Sequence, residues 1–275
     1  MWMMGAVVSF TLMAIAGREI LTSLNTFELM LYRSVIGVLL VSVFIMRSPH
    51  GFAQVKTPLL RQHVLRSVVH YFGQNLWFVA IASIPLAQLI ALEFTNPLWV
   101  AMLAPLLLGE TLTRQKLLIV LLGFIGVIIV ARPGVEPLSL GHLAGLLAAM
   151  GFALTNIMTR KITRQDRVLA VLFWMTLTQA GFSLVLALPG GIPWPSASLW
   201  PWIIIMGITG LSAHLCLSQA LNIAPATTVA PMDFIRLPIG AVVGMLLYQE
   251  PLLATVFIGG GVILLANYLN LRLKA

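Results

Sequence analysis

Charged side chains are scarce in this chain: only 9% of its 275 residues are Asp, Glu, Lys or Arg. A soluble domain carries roughly a quarter, because its surface must face water. That scarcity excludes a soluble globule of this size. A single cysteine, Cys216, excludes an intrachain disulfide and a multi-cysteine metal site. It lies in an apolar run, where a thiol serves as a small hydrophobe. Also missing are a His-Glu-x-x-His zinc motif, a Gly-x-Ser-x-Gly elbow, a Walker A loop and clustered aspartates. No catalytic residue, metal site or cofactor is therefore expected. Acidic residues number eight against sixteen basic ones, a formal charge of +8. The basic residues form no face for nucleic acid; they sit in short connections between apolar runs.

What the chain has is hydrophobic residues, 60% of the total. They come in runs near the ~20 residues that cross a hydrocarbon core of ~30 Å. Ten spans can be read, at 2–18, 27–46, 65–82, 86–108, 115–131, 141–159, 167–188, 199–222, 226–248 and 252–270. Ala14-Ile15-Ala16 imitates a signal-peptide cleavage site, but no basic segment precedes it, so the first span is expected to be retained. Ten spans place both termini on one side. Twelve basic residues then fall in that side's loops and tail, and only Arg18 and Arg132 on the other. The positive-inside rule makes the first side cytoplasmic. Trp194, Trp200 and Trp202 flank the outer start of span 8, where indoles favour the headgroup layer.

The sequence also repeats itself. A shift of 140 residues lays Ala80-Ile-Ala-Ser-Ile-Pro85 over Ala220-Leu-Asn-Ile-Ala-Pro225, Glu93-Phe94 over Asp233-Phe234, and Gly109-Glu110 over Gln249-Glu250. A shift of 142 lays Ser9-Phe10 and Arg18 over Gly151-Phe152 and Arg160. The halves read as 1–134 and 141–275, joined by a linker at 135–140. Five spans per half is an odd number, so the second half enters the membrane inverted. Inverted repeats are frequent in secondary transporters, where the substrate site lies near mid-membrane. The expected fold is an all-α membrane protein of two inverted five-helix repeats around a central cavity.

The stretch Ala82-Ser-Ile-Pro-Leu-Ala87, followed by Pro97, Leu108-Gly-Glu110 and Gly123-Phe-Ile-Gly-Val-Ile-Ile-Val-Ala-Arg-Pro-Gly134, resembles the EamA-type branch of the drug/metabolite transporter superfamily. Ile223-Ala-Pro-Ala226 and Tyr248-Gln-Glu-Pro251 repeat it in the second half. The resemblance spans nearly the whole chain. It implies ten helices, a bacterial inner membrane, cytoplasmic termini and a small-metabolite cargo moved by alternating access. It does not name the cargo, since members carry amino acids, nucleotide-like metabolites, vitamins, polyamines, sugars and drugs, inward or outward. Phe27-Glu-Leu-Met-Leu-Tyr-Arg-Ser34 and His63-Val-Leu-Arg66 are most similar to relatives that take up S-adenosylmethionine. A passive channel or a non-transporting subunit of a larger complex is the alternative reading.

Ionisable groups inside spans are costly and usually face the bundle interior. Four stand out: Arg33, Glu93, Asp233 and Arg236. Glu93, eight residues after Pro85, lies ~12 Å below the outer boundary, and Asp233 at similar depth from the other side. The carboxylates are candidates to bind a cationic group or a coupling proton, and the arginines to hold a carboxylate or phosphate. Such a set suits a zwitterionic or charged solute, with proton or counter-solute coupling. In the opposing reading Asp233 and Arg236, three residues apart, neutralise each other, and Arg33 snorkels to the boundary. His70, Gln74, Asn75, Asn96, Asn156, Gln179, His214 and Gln219 are polar candidates for the same cavity, or bonds between helices. Pro97, Pro105, Pro231 and Pro238 fall in the symmetry-related spans 4 and 9, where lost backbone bonds could make hinges. Glu110 and Glu250 end those spans and suggest loop-capping or gating contacts. Gly141-x-x-x-Gly145 and Gly240-x-x-x-Gly244 permit close helix approach, within the chain or in a homodimer.

Overall fold

A computed structural model of the chain describes residues 1–108, 113–132, 139–223, 233 and 235–272. Their regular structure is all helical, with no strand among them. The first half holds α1 (Trp2–Ile20), α2 (Thr26–Arg47), α3 (Leu60–Ser83), α4 (Leu86–Glu93), α5 (Asn96–Leu108) and α6 (Arg114–Ala131). The second holds α7 (Leu140–Ile162), α8 (Val168–Ala187), α9 (Trp200–Ile223), α10 (Arg236–Tyr248) and α11 (Ala254–Arg272). Counting α4 and α5 as one interrupted span, this is five spans in each half. Seven helices among the described residues are long and apolar enough to cross a membrane, and α10 and α11 are shorter apolar helices. The fold is that of a multi-pass membrane protein. At 24 residues α3 has the length but not the hydropathy, because it carries His63, Arg66, His70 and Gln74, all buried.

Local sequence sets the helix ends. Asn25 caps α2: its Oδ1 accepts from the Phe27 and Glu28 amides at 2.9 and 3.0 Å, while Glu28 Oε2 accepts from the Asn25 amide at 2.9 Å. This reciprocal box satisfies amides that a helix start leaves without partners. Thr113 caps α6 in the same sense. Gln249 ends α10 in the left-handed region at φ 56°, and the Glu250 amide returns to the Gly244 carbonyl at 3.1 Å. Glu250 also reaches the start of α4, where its Oε2 accepts from the Leu86 amide at 2.8 Å. The expected loop-capping role is the contact Glu250 makes; Glu110 lies outside the described residues.

The helices pack into two compact units. The first contains residues 1–78 and 155–225, in which α1 packs on α9, and α2 on α8 and α9. The second contains 79–154 and 226–275, in which α6 packs on α11, and α4 on α10 and α11. The boundaries fall inside α3 and inside α7, so each unit takes helices from both sequence halves. The packing units and the sequence repeats are thus different partitions of one chain.

Small residues bring the helices of the second unit together. A Cβ on Gly126 would stand 2.7 Å from the Gly259 carbonyl oxygen, and one on Gly259 would stand 2.6 Å from the Gly126 oxygen. Backbone therefore meets backbone where α6 crosses α11, the contact that small residues allow in membranes. Gly141 faces Ser83, Gly145 faces Leu89 and Leu92, Gly240 faces Ile90, and Gly244 faces Glu250. Both glycine motifs are spent on contacts within the chain. Gly126→Val or Gly259→Val should overpack the crossing and cost about 1–3 kcal/mol. Thermal unfolding of the detergent-purified variants measures it, and an unchanged midpoint in both would contradict the close crossing.

Candidate functional site

In the second unit, charge gathers at an interruption of the span that α4 begins. Pro97 has no amide to donate, so the carbonyls before it lose their helical partners. The chain answers with tighter bonds: the Thr95 amide to Leu92 O at 3.0 Å and the Leu98 amide to Thr95 O at 2.9 Å. The carbonyl of Phe94 is taken by Asn267 Nδ2 of α11 at 2.7 Å, and Asn96 Nδ2 donates to Ala149 O of α7 at 3.2 Å. Such breaks persist in membranes only where protein or water satisfies the exposed backbone. Pro97 and Pro238 each fall in the first turn of a helix, α5 and α10, while Pro105 lies within α5. Pro231 lies outside the described residues.

Glu93, the last residue of α4, meets Arg236, the first of α10. Arg236 Nη2 donates to Glu93 Oε2 at 2.8 Å and Nη1 to Asp233 Oδ2 at 3.2 Å. The side chains are 7% (Arg236), 12% (Glu93) and 29% (Asp233) exposed, so the ion triad is largely removed from solvent. One guanidinium serves two carboxylates, leaving a net charge of −1. The neutralising pair expected of Asp233 and Arg236 is present in this geometry, and Glu93 joins it from a helix 143 residues away.

In the first unit the charge is positive. Arg33, on α2, is 5% exposed; its Nη1 donates to Gln74 Oε1 of α3 at 3.1 Å. It makes no ion pair among the described residues. His70 and His214 stack edge to face with ring centroids 5.3 Å apart, and Phe10 packs on His214 at 5.9 Å. Asn75 turns back to its own helix, donating to Tyr71 O at 2.9 Å. Gln219 is half-buried on α9 and bonds to none of the other candidates, and Asn156 is exposed.

Two residues take places that the spans did not suggest. Arg66, at the edge of the span read from 65, lies well inside α3, because that helix starts at Leu60. It is 5% exposed, with Nε donating to Thr159 Oγ1 at 2.6 Å. His63, one turn earlier, is 1% exposed and pairs with Asp166 Oδ2 at 2.7 Å; Thr57 Oγ1 donates to the same oxygen at 2.6 Å. Trp174 Nε1 donates to Val55 O at 2.9 Å. Together these bonds fasten the connection between α2 and α3 to that between α7 and α8. The sequence signal for both residues is the i, i+3, i+4 polar stripe His63, Arg66, Ser67, His70, Gln74 along one face of α3.

Removing one member of a buried ion pair is worse than never having built it. Arg236→Ala leaves two carboxylates facing each other and should cost about 3–5 kcal/mol. Glu93→Gln keeps the Arg236–Asp233 pair and should cost clearly less. Chemical or thermal unfolding of the two variants side by side tests this ordering; equal losses would contradict the triad.

The profile of the EamA-like transporter family matches the chain twice, over residues 1–132 and 139–272. An S-adenosylmethionine uptake transporter of Rickettsia prowazekii is 26% identical over 90% of this chain and 84% of its own length. A riboflavin transporter of Brucella anthropi is 28% identical over 72% of each. A protein of known crystal structure shares the fold with a TM-score of 0.67 at 17% identity, covering 99% of this chain and 96% of its own. With its interrupted span, charged helix ends and doubled profile, the chain is a membrane transporter rather than an enzyme, and it belongs to the EamA-like transporter family.

Proposed function

We propose that the protein is a secondary transporter that moves a small zwitterionic or charged metabolite across a bacterial cytoplasmic membrane by alternating access. The observation that carries this reading is the fixed charge inside the helices. Arg33 and Arg66 carry positive charge in the first unit with no ion pair among the described residues, and the Glu93–Arg236–Asp233 triad carries one excess negative charge in the second. Each such group costs ~2.5–3.5 kcal/mol on insertion scales, so it is kept where it serves a solute or an ion pathway. Uncharged solutes need none of them.

The named relatives fit this reading unequally. S-adenosylmethionine carries an ammonium, a carboxylate and a sulfonium, whereas riboflavin is uncharged at neutral pH. The chain's fixed charges favour the first kind of cargo. The halves 1–134 and 141–275 act as inverted repeats in this proposal, with both termini in the cytoplasm. The loop cations support that orientation. No nucleotide-hydrolysis motif is present in the sequence, so a proton, a counter-solute or the solute gradient itself drives the movement.

Uptake of labelled S-adenosylmethionine, riboflavin, amino acids and polyamines into proteoliposomes tests the proposal. Saturable uptake of a charged solute is expected. It should fall about 10- to 100-fold in Glu93→Gln, the loss of one charged hydrogen bond, with the yield of folded protein retained. Riboflavin as the only solute moved would overturn the charged-cargo reading. Non-saturating flux of every solute would overturn the carrier reading in favour of a channel.

A further inference from the structure

Beside Arg33 the first unit contains a small cavity of about 10 Å³, room for about one water-sized atom. It lies between α2, α8 and α9, and Arg33, Ser34, Thr176, Gln179, Gly207 and Gly210 are among the residues that line it. Three polar groups at its wall have no hydrogen-bond partner: Arg33 Nε, Ser34 Oγ and Gln179 Nε2. All three side chains belong to residues buried to 95% or more, at 5%, 1% and 1% exposure. Two of those groups can only donate, and the third is a hydroxyl that can turn to donate. Buried polar groups are nearly always bonded, so three donors around one vacancy ask for an acceptor.

The charge points the same way. Among the described residues Arg33 makes hydrogen bonds only to Gln74 and the sulfur of Met30, and makes no ion pair. Thr176 Oγ1 donates to Leu172 O at 3.0 Å and accepts from none of the three donors. Gly210 lets the guanidinium lie directly against α9: a Cβ there would stand 2.6 Å from Arg33 Nε. Gln74 holds Nη1 from α3, while Nε has no hydrogen-bond partner among the described residues. A guanidinium edge with two further donors is the complement of an anionic oxygen.

We infer that this cavity is a carboxylate subsite, in which Arg33 Nε, Ser34 Oγ and Gln179 Nε2 hold one oxygen of an amino-acid-type carboxylate on the transported solute. The inference rests on the transport reading above and narrows its cargo to carboxylate-bearing solutes. It assigns Ser34 and Gln179 to recognition, with Gly210 seating the guanidinium against α9. An inorganic monoanion such as chloride offers the same chemistry, so the test separates the two sources.

The test uses the detergent-purified full chain at constant ionic strength, with gluconate as the bulky balancing anion. Thermal midpoints are recorded against sodium formate and sodium chloride, and against S-adenosylmethionine and its decarboxylated form. Formate and S-adenosylmethionine should raise the midpoint saturably, the decarboxylated compound far less. Both shifts should vanish in Gln179→Leu and in Gly210→Ala, which pushes on the guanidinium, whether or not Arg33→Gln folds. In proteoliposomes Gln179→Leu should raise KM about tenfold or more, the loss of one charge-assisted hydrogen bond. A chloride shift that Gln179→Leu removes, with KM unchanged, would overturn the carboxylate assignment in favour of a bound inorganic ion. A transporting protein with no formate shift and unchanged KM in Gln179→Leu would overturn the subsite while leaving transport standing. A formate shift in a protein that moves no solute would sink the transport reading, and with it a subsite for transported cargo.

Discussion

Hydrocarbon supplies no hydrogen bonds, so every carbonyl, amide and charge on these helices must find its partner inside the protein. The interrupted span between α4 and α5 shows how completely that demand is met. Pro97 breaks the ladder, and Asn267 arrives from another helix to take the Phe94 carbonyl. Glu93, placed at the end of α4 by the same break, finds Arg236 at the start of α10. Glu250 satisfies the amide at the other end of α4. A span of short helices becomes tolerable because side chains from elsewhere in the unit complete its backbone.

Read through that constraint, the two packing units differ in character. The second unit sets one arginine between two carboxylates, and closes its helices by glycine contacts such as Gly126 against Gly259. The first is sealed by hydrogen bonds at its ends, through Asp166 to His63 and Thr57, but leaves donors around Arg33 unanswered. Unanswered donors beside a buried cation are where a solute can replace the missing partner.

Much of this was legible in the sequence, and for identifiable reasons. Hydropathy located the spans, since crossing hydrocarbon leaves little freedom in length or composition. The 140-residue repeat exposed the two halves because Glu93 and Asp233, with Pro85 and Pro225, keep collinear spacing. What composition could not give was partnership. That Glu93 pairs with Arg236 depends on two helices lying side by side, and no pattern within either segment encodes it. Hydropathy starts span 3 only near 65, at the entry that His63 and Arg66 form, because charge near the end of an apolar run resembles a boundary; the polar stripe on α3 carries the signal that the helix begins earlier. Ser34 went unnoticed because a hydroxyl in a helix ordinarily bonds its own backbone, and only the packed structure leaves it facing a cavity. The division of the chain inside α3 and α7 was equally invisible, since a continuous helix gives no sign of which neighbours each of its ends will choose.

If fixed charges in the helical bundle serve a carrier that alternates, the purified chain should show counterflow. Proteoliposomes made with the purified chain alone are loaded with unlabelled S-adenosylmethionine, and labelled S-adenosylmethionine is supplied outside at low concentration. A carrier exchanges one for the other, so the label should accumulate transiently above its external concentration and then decay. Equilibration without overshoot, unaffected by the internal load, would contradict alternating access and leave a passive pathway in its place.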